Sequence, residues 1–180
     1  MHGEVAVDCY DSLDGQVALV TGATRGVGAA IASALADLGA TVDAGARDTG
    51  DVTASKQRAF RLDVTAESEI GAALDRIDDD GRLDSLANNA GVFHRSGPLH
   101  EMSTDEFEHT VDVNLRGPAL VATHALPLVL AQEGGRVVSL SSDLGQFSTG
   151  QMGGNYPPYR VSKAGLGGLT AYLHAEYGDE

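Results

Sequence analysis

At 180 residues the chain is long enough for one domain with a real hydrophobic core, and 42% hydrophobic with 21% charged residues describe an ordinary globular protein. A formal charge of −14 repels a phosphate backbone and argues against nucleic acid as a partner. No run of about 18 apolar residues is present to cross a membrane, and a single cysteine, Cys9, leaves no internal disulfide.

Along the chain, the first 14 residues are acidic and without apolar periodicity. They are expected to form a loose tail and do not read as a secretory signal, so the chain is read as cytoplasmic. "QVALVT" (16–21) is a short apolar run, hence a buried strand. "GVGAAIASALADLG" (26–39) carries apolar residues at Val27, Ala30, Ile31, Ala34, Leu35 and Leu38, a helical spacing, with Gly39 as the stop. "TVDAGA" (41–46) and "AFRLDV" (59–64) read as strands joined by a short polar link. Residues 66–79 read as an amphipathic helix and "LDSLAN" (83–88) as a strand. Ser103 then caps a long helix, with Glu106 positioned to complete a capping box. "RVVSLS" (136–141) is a fifth strand, and a last helix is expected from Pro158 to Tyr177. Strands alternating with helices predict an α/β fold: a Rossmann-like, three-layer, doubly wound parallel sheet over residues 15–180.

Aspartate outnumbers glutamate, and Lys56 and Lys163 are the only lysines. Such an acidic, lysine-poor surface resembles proteins of salt-loving organisms. Asp78, Asp79 and Asp80 read as a solvated helix end, and the six histidines show no ligand spacing, so no metal is expected.

"VTGATRGVGAAIA" joins the first strand to the first helix through Gly22, Gly26 and Gly28. Glycines admit a pyrophosphate close to the backbone, and the helix start beyond supplies N–H groups and a positive dipole end. The second strand ends in "GARD", with Arg47 where such folds choose between ribose hydroxyl and 2′-phosphate. Arg25 offers a second cation. Two guanidiniums favour NADP(H) over NAD(H), with Asp43 and Asp48 as the counter-evidence.

Taken together, "TGATRGVG", "NNAG" (88–91), "VNLRG" (113–117), "SLSSDLG" (139–145) and "YRVSK" (159–163), in this order, resemble the short-chain dehydrogenase/reductase family over roughly residues 15–177. The resemblance implies an NAD(P)-dependent oxidoreductase of the carbonyl-reductase kind, interconverting an aldehyde or ketone and an alcohol. Carried over by position, the catalytic residues are Asn114, Ser142, Tyr159 and Lys163. Ser142 rather than Ser141 matches, because "SDLG" keeps the family's spacing to the glycine. Cofactor contacts fall on Gly22, Thr24, Arg25, Gly26, Val27 and Gly28, then Arg47, then Asp63 and Val64, then Asn89, Ala90 and Gly91, and on Tyr159 and Lys163 themselves. It also implies dimers or tetramers through the helices at 104–131 and 158–177.

The chemistry agrees with that assignment. A free tyrosine ionises near pH 10, so a tyrosine serving in both directions needs about three units of assistance, roughly 4 kcal/mol. Lys163, at i+4 from Tyr159, shares its helix face and can supply part of it. Pro118 follows Asn114 by four residues and has no N–H for its carbonyl, which is thereby free to hold a relay water or marks a kink. Phe93, Phe147 and Met152 are expected as apolar substrate walls, with His94 beside the first.

Family members continue past the last helix with further strands and a lid, whereas this text ends "HAEYGDE". The fold is therefore expected to lack the family's C-terminal strands, leaving the fifth strand as a sheet edge. Two alternatives to an active enzyme stay open: a catalytically silent relative that binds nucleotide or partners, and a nucleotide-sensing regulator.

Overall fold

The computed structural model describes residues 11–52, 57–146 and 154–178. Five strands, β1 (Val17–Thr21), β2 (Thr41–Ala46), β3 (Gln57–Arg61), β4 (Ser85–Asn88) and β5 (Arg136–Ser139), form one sheet in the order β3-β2-β1-β4-β5. Every pairing is parallel, with Val17 opposite Thr41, Ala18 opposite Ser85, and Ser85 opposite Arg136. The strand order reverses between β1 and β4. Loops leaving the carboxyl ends of those two strands part there, which is where such a sheet opens a crevice.

Helix α1 (Gly26–Asp37) lies on one face and α2 (Glu67–Asp79) and α4 (Gly117–Leu130) on the other, while α3 (Thr104–Val111) leads into α4 and packs on α5 (Pro157–Tyr177). β1 is buried along its whole length, which is why it reads as an unbroken apolar run. Leu19, Ile70, Ile77, Leu86 and Val121 fill one layer, and Val20, Ala32, Ala36, Val42 and Ala44 the other.

Several elements differ from the sequence expectation. In α1 the buried residues are Gly28, Ala32 and Ala36, while Val27 is 60% exposed. Small residues face the sheet so that the helix can approach it, and the larger apolar side chains sit at the margin. β3 starts two residues earlier than expected, at Gln57, and Leu62–Val64 have already left the sheet. The long helix is interrupted by a π-helical turn, Asp112–Arg116, in which Gly117 N bonds Asp112 O. Pro118 cannot donate to Asn114 O, and the ladder accommodates this with one wide turn. Ser103 caps α3 by accepting from Asp105 N at 3.2 Å. Leu13, inside the stretch expected to be a tail, is buried and its N–H donates to Leu38 O at 2.7 Å.

Two carboxylates tie strands together. Asp84 Oδ2 accepts from Val17 N at 2.8 Å and from Arg82 Nε at 2.7 Å. Burial opposes its charge, yet the Arg82 and Val17 hydrogen bonds outweigh that and hold the carboxyl below its usual range. Asp43, fully buried, stands opposite Arg58 in the β2–β3 register and accepts from its Nε at 2.7 Å. Burial pushes the Asp43 carboxyl up despite that partner.

Candidate active site

The loop after β1 is laced to the loop after β4. Thr21 Oγ1 accepts from Asn89 N and Ala90 N, both at 3.0 Å. Asn89 Nδ2 donates to Thr21 O at 2.9 Å and Gly22 O at 3.1 Å. A Cβ on Gly22 would come within 2.9 Å of Ala90 Cα, and one on Gly28 within 2.3 Å of both Gly22 O and Asn89 Nδ2. Gly26 has φ +57 and nothing within 4 Å of the place a Cβ would take. A side chain there would project into open space at the start of α1, where the first helical N–H groups lack partners. This cradle fits a pyrophosphate, which needs close backbone and free N–H donors.

The cradle opens on a cleft of about 640 Å³. Lining it are Gly22, Thr24, Arg25, Gly26, Val27 and Gly28 from the glycine loop, with Arg47 at the end of β2. Asp63 and Val64, and Asn89, Ala90 and Gly91, complete the set expected from the sequence, apart from Tyr159 and Lys163. Val27, expected both on the apolar spacing of α1 and as a cofactor contact, lies in the cleft and is 60% exposed. Asp48 also lines the cleft, its Oδ1 accepting from Gly50 N at 3.0 Å. Asp43 does not, being committed to Arg58. Asp63 Oδ1 accepts from Thr65 N at 2.9 Å and Thr65 Oγ1 at 2.7 Å. Burial opposes the Asp63 charge, but these bonds and the fields of Arg47 and Arg61 hold the carboxyl below its usual range. His109, on α3, lines the cleft as well. No sequence motif points to it; only the packing of α3 brings it there.

Beyond the Gly91 end of the cleft lie the other four expected residues. Lys163 is buried, and its Nζ donates to Leu140 O at 2.6 Å and lies 3.9 Å from where a Gly91 Cβ would stand. Burial pushes its pKa down. Tyr159, one turn earlier on α5, has its ring centroid 5.8 Å from Lys163 Nζ. Ser142 caps a short turn, Asp143–Gly145, by accepting from Leu144 N at 3.2 Å, and its own hydroxyl meets Asp143 Oδ1 at 3.1 Å. Gly145 presses that turn onto α5, since a Cβ there would fall 2.7 Å from Lys163 C.

Asn114 has a role beyond the carbonyl on which the sequence reading dwelt. Its fully buried side chain makes three bonds: Oδ1 accepts from Val92 N at 2.8 Å, and Nδ2 donates to Val92 O at 2.9 Å and Ser162 Oγ at 3.2 Å. Ser162 Oγ in turn lies 2.9 Å from Tyr159 O. Asn114 therefore fastens the "NNAG" loop to the helix that carries Tyr159 and Lys163.

Phe93 stands beside Tyr159 and is 48% exposed, and His94 Nδ1 is 3.2 Å from Thr110 Oγ1. Phe147 and Met152 lie outside the described residues. Among the described residues no cluster of three or more His, Cys, Asp or Glu is arranged to hold a metal, and no helix is long and apolar enough to cross a membrane.

Residues 16–180 match the family model described as short chain dehydrogenase. The chain is 36% identical over 185 residues to the D-threitol dehydrogenase of Mycolicibacterium smegmatis, covering 97% of this chain and 69% of that protein. The ligand-free aldohexose dehydrogenase of Thermoplasma acidophilum superposes with a TM-score of 0.85 at 29% identity, covering 94% of this chain and 64% of that one. A metagenomic short-chain oxidoreductase in complex with NADP superposes with a TM-score of 0.83 at 35% identity, covering 91% and 76%. The chain thus spans about two-thirds of the length of the first two of these proteins. With the family model matched over residues 16–180, and with these relatives sharing both sequence and fold, the chain belongs to the short-chain dehydrogenase family of oxidoreductases.

Proposed function

We propose that the protein interconverts a ketone or aldehyde and the corresponding alcohol, using NADP(H) in preference to NAD(H), with Tyr159 as the general acid and base. The observation that carries this reading is the meeting of Tyr159, Lys163, the Ser142 turn and Asn114 at one end of the glycine-loop cleft. Relatives named as dehydrogenases and reductases support it.

When bound, the nicotinamide supplies the hydride to a carbonyl carbon or accepts it from an alcohol. The chain's own residues manage charge and protons. As negative charge grows on the substrate oxygen, Ser142 Oγ turns its hydrogen from Asp143 toward that oxygen, a donor set in advance for the transition state. Tyr159 delivers its phenolic proton to the same oxygen and takes it back in the reverse direction. Lys163 holds a positive charge in a dry setting, where its field on a phenolate is strong. Asn114 keeps the loop and α5 in register, and a water held on its backbone carbonyl, which Pro118 cannot bond, relays a proton between Lys163 and solvent.

Arg47 and Arg25 carry the cofactor preference, because both line the cleft, while Asp48 caps its own turn by accepting from Gly50 N. A guanidinium pairs with a 2′-phosphate, whereas a bare ribose would want an acidic acceptor. The test is Arg47→Asp, with NADPH and NADH dissociation constants measured by nicotinamide fluorescence. The ratio is expected to swing toward NADH by about tenfold or more, the worth of one charge-assisted contact replaced by repulsion. An unchanged ratio removes Arg47 from the specificity argument.

A further inference from the structure

Phe93, Tyr156 and Tyr159 form a cluster of three rings at the open side of the site. The Phe93 ring meets Tyr159 edge-on, with centroids 4.9 Å apart and an interplanar angle of 88°. It meets Tyr156 at 5.0 Å and 55°. These contacts still leave Phe93 48% exposed, and Tyr156 and Tyr159 are only half-buried.

Tyr156 reaches its position at a cost. It has φ +57 and follows Asn155 at φ +68, two consecutive residues in the left-handed region that side chains rarely adopt. Three hydrogen bonds hold the turn: Tyr156 N to Ser96 O at 3.3 Å, Arg160 N to Tyr156 O at 3.0 Å, and Arg160 Nε to Asn155 O at 3.0 Å. Strain of this kind persists where the surroundings over-determine it and tends to gather at working sites. What this strained turn achieves is a second aromatic ring against Phe93, next to the proposed acid and base.

We infer that Phe93 and Tyr156 form an aromatic subsite for the group attached to the reacting carbon, and that its ligands are carbonyl compounds or alcohols bearing a ring, aromatic or cyclohexyl, on that carbon. Ring faces carry negative charge and ring edges positive, so an exposed Phe93 beside a tilted Tyr156 takes a second ring in an offset or edge-on arrangement. Phe93 already touches the Tyr159 ring, so a ring seated on Phe93 stands beside the residue proposed to protonate the carbonyl. The inference rests on the reading of Tyr159 as the acid and base for its place in the reaction, while ligand binding itself needs no turnover.

Saturation-transfer NMR on the 180-residue chain separates the two, with acetophenone as the ring-bearing probe and butanone as the small one. Tyr156→Gly removes the ring and leaves a residue at ease with a positive φ. Tyr156→Phe keeps the ring, and Phe93→Leu serves if Tyr156→Gly does not fold. Transfer to acetophenone is expected in the wild type and in Tyr156→Phe, and to fall about fivefold or more in Tyr156→Gly and Phe93→Leu, with the butanone signal unchanged. A smaller fall in both ring-removing variants, or no transfer to acetophenone in the wild type, overturns the subsite. If Tyr159→Phe retains turnover while these binding results hold, the acid–base reading fails and the subsite stands.

Discussion

Replacing Tyr159 by Phe is expected to lower turnover by about a thousandfold or more while cofactor affinity stays within about threefold, as loss of a general acid from an intact site predicts. The substitution removes one oxygen and keeps the ring, so the edge-on contact with Phe93 and the packing of α5 survive. The glycine cradle and the arginines are untouched, because Tyr159 does not line their cleft. Lys163 stays buried with its bond to Leu140 O. The measurement is steady-state reduction of a ketone series beside a titration of the cofactor. Turnover near the wild-type rate would reject Tyr159 as the acid. Loss of cofactor binding together with turnover would show instead that the hydroxyl serves the cofactor cleft.

The second large effect is expected at Gly28. Gly28→Ala would put a methyl group 2.3 Å from Gly22 O and from Asn89 Nδ2. Neither neighbour can yield easily: the first is backbone, and the second is held by two hydrogen bonds to the glycine loop. Relief requires moving α1 off the sheet or opening the lacing between the loops, at about 2–4 kcal/mol of stability. Because the displaced loop is the pyrophosphate cradle, cofactor affinity should fall at least about tenfold. Gly26→Ala is the control. Its Cβ meets nothing, and the left-handed backbone alone costs about 1–2 kcal/mol. Urea unfolding and nicotinamide fluorescence on both variants provide the comparison. Equal losses at the two positions would mean that close packing, as distinct from backbone freedom, is not what fixes Gly28.

Much of this was legible in the sequence because local chemistry dictates it. β1 and β2 read correctly since strands covered on both faces are apolar throughout, or nearly so. The glycine loop, "NNAG" and the Tyr–Lys pair carry their spacing on one element or one turn, so chain order suffices to find them. What failed depends on contacts between distant segments. The face of α1 that meets the sheet was not legible from periodicity, which picks out the larger apolar residues, whereas the sheet is met by Gly28, Ala32 and Ala36. Asp43 looked like evidence against a phosphate because its partner, Arg58, is chosen by strand register, 15 residues away. The start of β3 shifted because Gln57 pairs with Val42, a matter of where the connection returns to the sheet. Asn155 is a residue that tolerates a left-handed backbone, but nothing in the sequence marks Tyr156 as continuing it. The side chain of Asn114 was underestimated because its three bonds reach two residues that lie 22 and 48 positions away.

The central claim is that the cleft at the end of β1 and β4 holds a nicotinamide dinucleotide and presents it to Tyr159. Titrating the 180-residue chain with NADPH and NADH, at low and high salt and following nicotinamide fluorescence, tests it most directly. The account predicts saturable binding of both, with NADPH the tighter. A chain shown to be folded that binds neither would contradict it.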